Sequence, residues 1–269
     1  MPGGELGIAL CPLASGSKGN AYWIESGSTS ILVDAGISLR QLTRRVEEIG
    51  RDIDAVDHLF ITHEHADHIK GLQRLLAKHH PVIWASRGTL RALRGKLPEG
   101  AKVRMMNGNT EQAGEFHVEA VRVQHDAAEP VAYRFTSAHG SAAVLTDTGI
   151  CSQEMVDVLG GPDVLVCEAN HDPDMLARGP YPYYLKQRVA SDRGHLNNEQ
   201  GAAFSLGAIR QGTSKIILGH LSETNNSPTL ALEVFLKVFE KEKEKVTLDV
   251  AAQDRPGPWV SVNKTTLQK

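Results

Sequence analysis

The chain has 269 residues, 41% of them hydrophobic and 23% charged, and its formal net charge is -3 at pH 7. This composition excludes a fibrous or disordered chain and describes a globular protein large enough to bury a core. No apolar run approaches the ~20 residues that a membrane span needs, so we expect no membrane partner. Three cysteines without a CxxC pair predict a cytoplasmic protein. Twelve histidines stand out against this ordinary background.

The first third of the chain predicts strands, a capped helix and a polar turn. Apolar runs separated by turn residues are typical of strands, and apolar side chains at helical spacing after Ser38 predict a helix. The predicted elements in chain order are strands 6–13, 21–25 and 30–33, helix 38–49, strand 55–62, helix 69–79 and strand 82–85. A histidine-rich segment, residues 62–68, leads from the predicted strand 55–62 into the predicted helix 69–79, and we call it the histidine turn.

The rest of the chain is rich in strands at its middle and alternates between strands and helices towards its end. The predicted elements are strands 114–123, 131–136 and 142–146, helix 153–159, strand 164–167, an irregular aromatic segment 172–194, helix 198–210, strand 215–218, a helix from 228 to about 245 and strand 247–253. Strands alternating with helices predict a layered α/β fold. Because the sequence contains no linker, we expect one domain over residues 1–269.

Four metal-ligand side chains lie within six residues of the histidine turn: His63, His65, Asp67 and His68. The turn follows a predicted strand, and α/β proteins place ligand sites at the carboxyl ends of strands. Imidazole and carboxylate groups together suit Zn²⁺, Mn²⁺ or Fe²⁺. Three histidines without cysteine argue against a closed structural zinc site. The turn therefore predicts a metal centre of the open kind.

Three more ligand-type residues follow predicted strands. His125, Asp147 and His220 each come at the end of an apolar strand, as His63 does. A single histidine at the end of a strand is a weak indication of function, but the shared position favours a joint role in one site.

The order of these motifs resembles the metallo-β-lactamase superfamily, and the resemblance covers residues 6–253. The matching strings are 32–36 (LVDAG), 62–68 (THEHADH), His125, 146–149 (TDTG) and His220. Further strings at 14–20, 168–172, 179–182, 192–196 and 220–226 are similar to the bacterial branch known as YycJ, WalJ or VicX. The distal part also resembles ribonuclease Z, although Cys167 stands where that enzyme carries a histidine.

The resemblance implies an αββα sandwich of two mixed β-sheets with helices on the outside. It also implies two divalent metal ions, Zn²⁺ or Mn²⁺. The implied ligands are His63, His65 and His125 for one ion, Asp67, His68 and His220 for the other, and Asp147 as a bridge. A hydroxide shared by the ions would attack a phosphodiester, because bound divalent metals lower the pKa of water to about 7. Asp67 would help to orient that hydroxide.

The same resemblance places a proton donor beside the metals. His195 is expected to protonate the leaving sugar oxygen, with Glu168 orienting its ring through a hydrogen bond. The alternatives for His195 are a simple contact to phosphate or a cap on the helix that begins near residue 198. Asp34 and His171 are predicted to hydrogen-bond to metal ligands, and a purely structural role is the alternative for His171.

Two segments are predicted to contact substrate. In the loop 15–20, Ser15, Ser17 and Asn20 lie among backbone N–H and hydroxyl groups that can hold a phosphate. The segment 172–194 combines aromatic faces with positive charge, which suits stacking on bases and pairing with phosphates. Its candidate contacts are Tyr181, Tyr183, Lys186, Arg188 and Arg193. Packing of this segment on the domain surface is the alternative.

The branch resemblance implies a metal-dependent phosphodiesterase with nucleic acid as its substrate, and in particular a 5′-to-3′ DNA exonuclease. A metallohydrolase of a small ester, thioester, lactone or cyclic nucleotide is the alternative that the acidic net charge favours. A catalytically idle regulatory binding protein is the third hypothesis, and the complete ligand set counts against it. The sequence leaves the oligomeric state open.

Overall fold

The computed structural model describes residues 7–106, 109–242 and 245–263. Its strands are β1 (Ile8–Ala14), β2 (Ala21–Ser26), β3 (Thr29–Val33), β4 (His58–Phe60), β5 (Val82–Ala85), β6 (Val103–Met105), β7 (Thr110–Ala113), β8 (Phe116–Arg122), β9 (Val131–Ser137), β10 (Gly140–Leu145), β11 (Val164–Glu168), β12 (Lys215–Gly219), β13 (Thr247–Val250) and β14 (Val260–Val262). Its helices are α1 (Leu39–Glu48), α2 (Ala66–Ile69), α3 (Leu72–Lys78), α4 (Arg87–Ala92), α5 (Gln153–Leu159), α6 (Pro173–Arg178), α7 (Tyr183–Val189), α8 (Asn198–Arg210) and α9 (Pro228–Val238).

The strands form two seven-stranded sheets with the same internal plan. The first sheet has the order β14-β1-β2-β3-β4-β5-β6, and the second has the order β7-β8-β9-β10-β11-β12-β13. In each sheet, read in these directions, the first three pairings are antiparallel and the last three are parallel. The chain therefore consists of two similar halves, and the late strand β14 completes the first of them.

The sheets pack face to face around one core, and helices cover their outer faces. Side chains alternate along β1: Ile8 and Leu10 lie in the core between the sheets, whereas Cys11 and Leu13 lie in the cluster under α1 and α3. A third cluster joins the outer face of the second sheet to α5, α8 and α9. This succession of layers confirms the αββα sandwich that the sequence predicted. No helix within the described ranges is long and apolar enough to cross a bilayer.

The segment 172–194, predicted to be irregular, contains the helices α6 and α7. Asp172 accepts a hydrogen bond from the Met175 N–H, and Pro173 occupies the first turn of α6. Both are ordinary signals for a helix N-terminus. Pro182 precedes α7 in a similar way. The prediction of an irregular segment is therefore wrong, because the cap and the prolines indicate helices more strongly than the aromatic residues indicate a loop.

Several other predicted elements differ in length. The strand predicted at 55–62 is reduced to β4, since Ile53–Ala55 form a 3-10 turn before it. The helix predicted at 69–79 is shortened to α3, and α2 begins before it, within the histidine turn. Helix α9 ends at Val238 rather than near 245, and residues 243–244 of that predicted span lie outside the described residues. The short elements β6, β7, β14 and α4 are absent from the prediction.

Gly36 lets the connection after β3 lie directly against the histidine turn. A Cβ added at Gly36 would lie 1.7 Å from the carbonyl oxygen of Asp67. Backbone hydrogen bonds hold the histidine turn against two neighbouring segments. The Asn20 N–H of the loop before β2 donates to the Asp67 carbonyl at 2.7 Å, and the Ala35 N–H of the connection after β3 donates to the His68 carbonyl at 2.8 Å. The position of the metal-ligand side chains therefore depends on a close backbone contact that only glycine allows.

We expect Gly36→Ala to lower the free energy of unfolding by about 1–3 kcal/mol, because the added methyl group meets backbone that cannot move aside cheaply. Chemical denaturation of the metal-free protein measures the change. Gly207→Ala is the matched control, since a Cβ at Gly207 in α8 meets nothing within 4 Å. That control should be neutral or slightly stabilising. Equal stability of the two variants would contradict the role given to Gly36.

Candidate metal centre

Seven ligand-type side chains meet at the carboxyl ends of strands from both sheets. The histidine turn follows β4, and the remaining three side chains follow β8, β10 and β12. In four groups all candidate ligand atoms lie within 4.8 Å of one another: His63, His65 and His125; Asp67, His68 and His220; His63, His68 and Asp147; and Asp147, Glu168, His195 and His220. The structure thus brings together both predicted ligand triplets and places Asp147 beside members of each.

Asp34 fixes the rings of the histidine turn. Its carboxylate accepts the Thr62 N–H and the Thr62 hydroxyl, both at 2.8 Å, and His68 Nδ1–H at 2.7 Å. The Thr62 hydroxyl oxygen lies 3.0 Å from His63 Nδ1. Because Nδ1 of both rings faces an oxygen acceptor, Nε2 of both rings is left for a metal ion. Asp34 therefore has the hydrogen bond to a candidate ligand that the sequence analysis predicted for it.

Glu168 serves two rings on the side of the second sheet. Its fully buried Oε1 lies 2.8 Å from Nδ1 of His195 and 2.8 Å from Nδ1 of His220. Its Oε2 accepts the N–H groups of Thr148 at 3.0 Å and Leu196 at 3.2 Å. The sequence predicted only the contact to His195. One carboxylate thus orients both a candidate metal ligand and the predicted proton donor.

The segment before α8 supplies a second orienting contact. The carbonyl oxygen of Gly194 lies 3.1 Å from Nδ1 of His125 and orients that ring. The neighbouring His195 does not cap α8, because Asn197 is the cap and its side chain accepts the Gln200 N–H. The helix-cap alternative for His195 is therefore wrong.

Two histidine nitrogens that take no part in these contacts are placed to bind a metal ion. Nε2 of His63 and Nε2 of His220 are buried and have no hydrogen-bond partner among the described residues. The Asp67 carboxylate is 3.8 Å from His220 Nε2, too far for a hydrogen bond. Asp147 Oδ2 lies 3.2 Å from His68 Nε2. Buried unpaired nitrogens beside carboxylates form a donor set that divalent metal ions complete, so these residues fit the metal that the motifs predict.

The charges in the centre favour a bound cation. In the metal-free centre burial acts to raise the pKa of Asp147, but protonated His220 and His68 outweigh it and hold that pKa well below its usual range. A metal ion bound to these rings would replace their protons and supply the positive charge instead. Burial, reinforced by His68, holds the pKa of His63 well below its usual value. Asp147 is thus an ionised oxygen ligand and His63 a neutral nitrogen ligand at pH 7, the forms that metal binding requires.

Three side chains of the site stand on strained backbone at strand ends. Asp34, Asp147 and His220 have φ angles of 61°, 59° and 55°, in the left-handed region. Ser15 supports the last of these, since its hydroxyl accepts the His220 N–H at 2.7 Å and pairs with the Tyr22 hydroxyl at 2.8 Å. Ser15 was predicted to contact substrate, but its buried hydroxyl is committed to holding a candidate metal ligand.

The other two predicted substrate contacts of the loop 15–20 are one buried and one exposed side chain. Asn20 is fully buried, and its side chain pairs with both backbone groups of Gly16, at 2.9 and 3.1 Å. Its Nδ2 also lies 3.1 Å from His68 Nε2. Asn20 therefore shapes the loop and the centre from inside, contrary to the predicted substrate contact. Ser17 is exposed at the tip of the loop.

Helix α7 carries the predicted aromatic and basic contacts, and one of them reaches the centre. Arg188 Nη2 lies 2.5 Å from Asp126 Oδ2, and Asp126 Oδ1 lies 3.4 Å from His125 Nε2. Lys186 instead donates to the Ala177 carbonyl at 2.7 Å. The sequence indicates for Asp126, beside His125, only the role of a local turn acceptor, whereas the structure places it at the rim of the ligand cluster.

The remaining predicted contacts lie at the surface or away from the ligands. Tyr183 and Arg193 are exposed, and Tyr181 is half-buried. His171 is buried, but its Nδ1 has no hydrogen-bond partner in the part of the chain that the structure describes. The structure therefore shows no contact from that atom to a metal ligand.

Comparison with known proteins shows the family to which the chain belongs. The family described as beta-lactamase superfamily domain matches residues 29–220. Exodeoxyribonuclease WalJ of Streptococcus pneumoniae serotype 2 is 40% identical over 232 residues, covering 84% of this chain and 86% of that protein. Exodeoxyribonuclease YycJ of Bacillus anthracis is 37% identical over 240 residues, covering 88% of this chain and 91% of that protein.

Solved structures agree as well. The crystal structure of the metallo-beta-lactamase fold protein YhfI from Bacillus subtilis matches 96% of this chain and 100% of that chain with a TM-score of 0.75, at 18% sequence identity. The chain belongs to the metallo-β-lactamase superfamily, as its motif order predicted. Over most of its length it is similar to the WalJ and YycJ exodeoxyribonucleases. Membership of this superfamily implies divalent metal binding, and the ligand groups described above are the candidates for it.

We expect Asp34→Asn to lower metal affinity about 10- to 100-fold, because an amide can no longer accept every hydrogen bond that orients His68 and the turn. Metal content after dialysis against defined free-metal buffers measures the loss. Asp163→Asn is the matched control, since Asp163 is also buried and accepts a backbone N–H and a hydroxyl, both from Ser141, at 2.9 and 3.0 Å. Equal metal affinity in the two variants would contradict the role of Asp34.

Proposed function

We propose that this chain is a dinuclear metal-dependent phosphodiesterase that removes nucleotides from DNA in the 5′-to-3′ direction. The observation that carries the proposal is the 2.8 Å contact between Glu168 and His195 at the edge of the ligand cluster. Cleavage of a phosphodiester releases a sugar oxygen that needs a proton, and an oriented imidazole beside the metals suits that task. The names of the relatives WalJ and YycJ, both exodeoxyribonucleases, support DNA as the substrate.

We assign the seven clustered side chains to two ions, either Zn²⁺ or Mn²⁺. The assignment is His63, His65 and His125 to one ion, Asp67, His68 and His220 to the other, and Asp147 to both. Bound there, the ions would lower the pKa of a water molecule to about 7 and offset the charge of the phosphate. The Asp67 side chain is 26% exposed, so it can orient the attacking water as well as serve as a ligand.

His195 is the general acid in this proposal. Its Nδ1 is committed to Glu168, so Nε2 is the atom that gives a proton to the leaving sugar oxygen. The His195 side chain is 20% exposed, which lets a substrate reach it, whereas Glu168 is fully buried. Burial acts to raise the pKa of Glu168, but His195 and His220 outweigh it and lower that pKa, so Glu168 stays an acceptor. Glu168 therefore positions the proton donor and does not compete with it.

Helix α7 is the nucleic-acid contact in this proposal. Tyr183 and Tyr184 are 74% and 72% exposed, and exposed aromatic rings stack on bases without regard to sequence. Arg188 reaches the rim of the ligand cluster through Asp126, and Arg193 lies in the exposed turn after the helix. Positive charge beside aromatic rings at the edge of the metal centre suits a DNA strand end more than a small ester.

We further infer one domain over residues 1–269, working in the cytoplasm. Strand β14, near the end of the described chain, pairs with β1 near its beginning, which supports a single folding unit. The three cysteines are all free, as a reducing compartment would keep them.

With Mn²⁺ or Zn²⁺ bound, the protein should release the label of 5′-labelled DNA at once as a mononucleotide and shorten 3′-labelled DNA gradually. Asp67→Ala should abolish both reactions, because it removes a ligand and the group that orients the water. His117→Ala is the control, since His117 is exposed on β8 outside the cluster. DNA that stays intact with every metal, while small esters or cyclic nucleotides are cleaved, would overturn the proposal.

A second measurement separates the general acid from a simple phosphate contact. His195→Ala should lower kcat on DNA about 10²- to 10⁴-fold, since general acid catalysis contributes that much. On thymidine 5′-(4-nitrophenyl phosphate) the loss should be less than about tenfold, because nitrophenolate leaves without a proton. A phosphate contact would instead reduce turnover of both substrates equally. Release of nitrophenolate and of labelled nucleotide gives the two rates.

A further inference from the structure

A cavity of about 490 Å³ lies between α6, α7 and the first turn of α8, and we call it the α6–α7 pocket. Its volume falls within the range of small-molecule sites, about 300–1,000 Å³. Leu176 and Ala190 give it an apolar wall, Tyr183 and Gln187 lie along α7, and Gln200 and His171 complete the lining. None of the residues that line it is acidic.

The pocket shares its wall with the segment that carries the proposed general acid. The Asn170 N–H donates to the Leu196 carbonyl at 3.0 Å, and the Asn198 N–H donates to the His171 carbonyl at 2.9 Å. The strand-like stretch around residue 196 therefore lies directly beside His171. On the other side, the His195 N–H donates to the Val189 carbonyl at 3.0 Å, one residue before Ala190 of the pocket wall. Backbone hydrogen bonds thus join the pocket wall to the His195 segment on two sides, and Asn197 of that segment lines the pocket.

His171 gives the pocket a buried, neutral ring. The residue is 2% exposed, and its Nδ1 has no hydrogen-bond partner among the described residues. Burial lowers the pKa of His171 to about 4, so its ring is neutral at pH 7. The His171 ring therefore adds a neutral aromatic surface to the lining, while its Nδ1 lies below the cavity surface.

The chemistry of the lining suits a flat, neutral heteroaromatic ring. Lys186 is the cation of the lining, and its ammonium group is already held by the Ala177 carbonyl at 2.7 Å. Tyr183 presents an aromatic face, and its hydroxyl accepts a hydrogen bond from Gln187 Nε2 at 2.8 Å. Gln200 uses Oε1 to cap α8, which leaves its Nε2 hydrogens as donors. Stacking, amide donors and an apolar wall together are the means by which proteins hold a nucleobase.

We propose that the α6–α7 pocket holds the base of the 5′-terminal nucleotide, the one that cleavage releases. The inference rests on the proposed function, because it follows from the place of His195. As water oxygen bonds to phosphorus, the bond from phosphorus to O3′ breaks and O3′ takes a proton from His195. The water loses a proton to solvent, from which His195 is recharged. O3′ belongs to the terminal nucleotide, so that nucleoside lies on the His195 side, where the pocket is.

The test combines pocket variants with a substrate that lacks the base. Tyr183→Ala removes the stacking surface, and Ala190→Trp fills the cavity from an exposed position. Tyr184→Ala is the matched control, because Tyr184 is the exposed neighbour of Tyr183 on α7 but does not line the pocket. Each protein is assayed on 5′-phosphorylated DNA with either an ordinary or an abasic 5′-terminal nucleotide.

We expect both pocket variants to lower kcat/KM roughly tenfold on the ordinary terminus and to have little effect on the abasic terminus. Tyr184→Ala should change the two substrates by the same factor. Pocket variants that reduce cleavage of both termini equally, or of neither, would overturn the inference and leave the exonuclease proposal standing.

A binding measurement makes the inference testable without cleavage. The metal-loaded protein is titrated with thymidine 5′-monophosphate and with 2-deoxyribose 5-phosphate. Tighter binding of the nucleotide, lost in Ala190→Trp and kept in His117→Ala, supports the pocket even if no DNA is cleaved, in which case only the proposed function fails. Equal affinity for the two compounds in the unmodified protein contradicts the pocket.

Discussion

The metal centre depends on one repeated contact, in which a buried oxygen faces Nδ1 of a histidine ring. The pairs are Thr62 with His63, Asp34 with His68, Gly194 with His125 and Glu168 with His220. Each contact selects one tautomer and leaves Nε2 for the metal. The oxygens come from both halves of the chain, so the ligand set is complete only when the two sheets are packed together. The two sheets must therefore be correctly packed before the ligand side chains are in place to bind metal.

The same contacts hold backbone that would relax on its own. Asp34, Asp147 and His220 end strands β3, β10 and β12 in the left-handed region, which costs a side-chain-bearing residue about 1–3 kcal/mol. Hydrogen bonds around Asp34 and the Ser15 hydroxyl on the His220 N–H offset that cost. The strain at Asp34 and at His220 is thus offset by hydrogen bonds from buried neighbours.

The sequence predicted the sheets, the outer helices and the ligand cluster because each has a local signal: apolar periodicity, strand ends and dense histidines. The prediction failed for roles that depend on contacts between residues far apart in the chain. The local sequence indicates a phosphate-binding loop at Ser15 and Asn20, because it does not show that His220 and His68 lie beside them in the fold. The double role of Glu168 needed the spatial meeting of β11, β12 and the segment before α8. The helices α6 and α7 were missed although their caps were present in the sequence.

The contact between Ser15 and His220 joins residues 205 positions apart in the chain. A chain leaving the ribosome exposes the histidine turn early, but the second ligand set stays incomplete until His220 has emerged and β12 has joined its sheet. Strand β14 closes the first sheet later still. The ligands proposed for both ions are therefore all in place only after most of the chain has been made, so loading of the whole centre is a late event of synthesis.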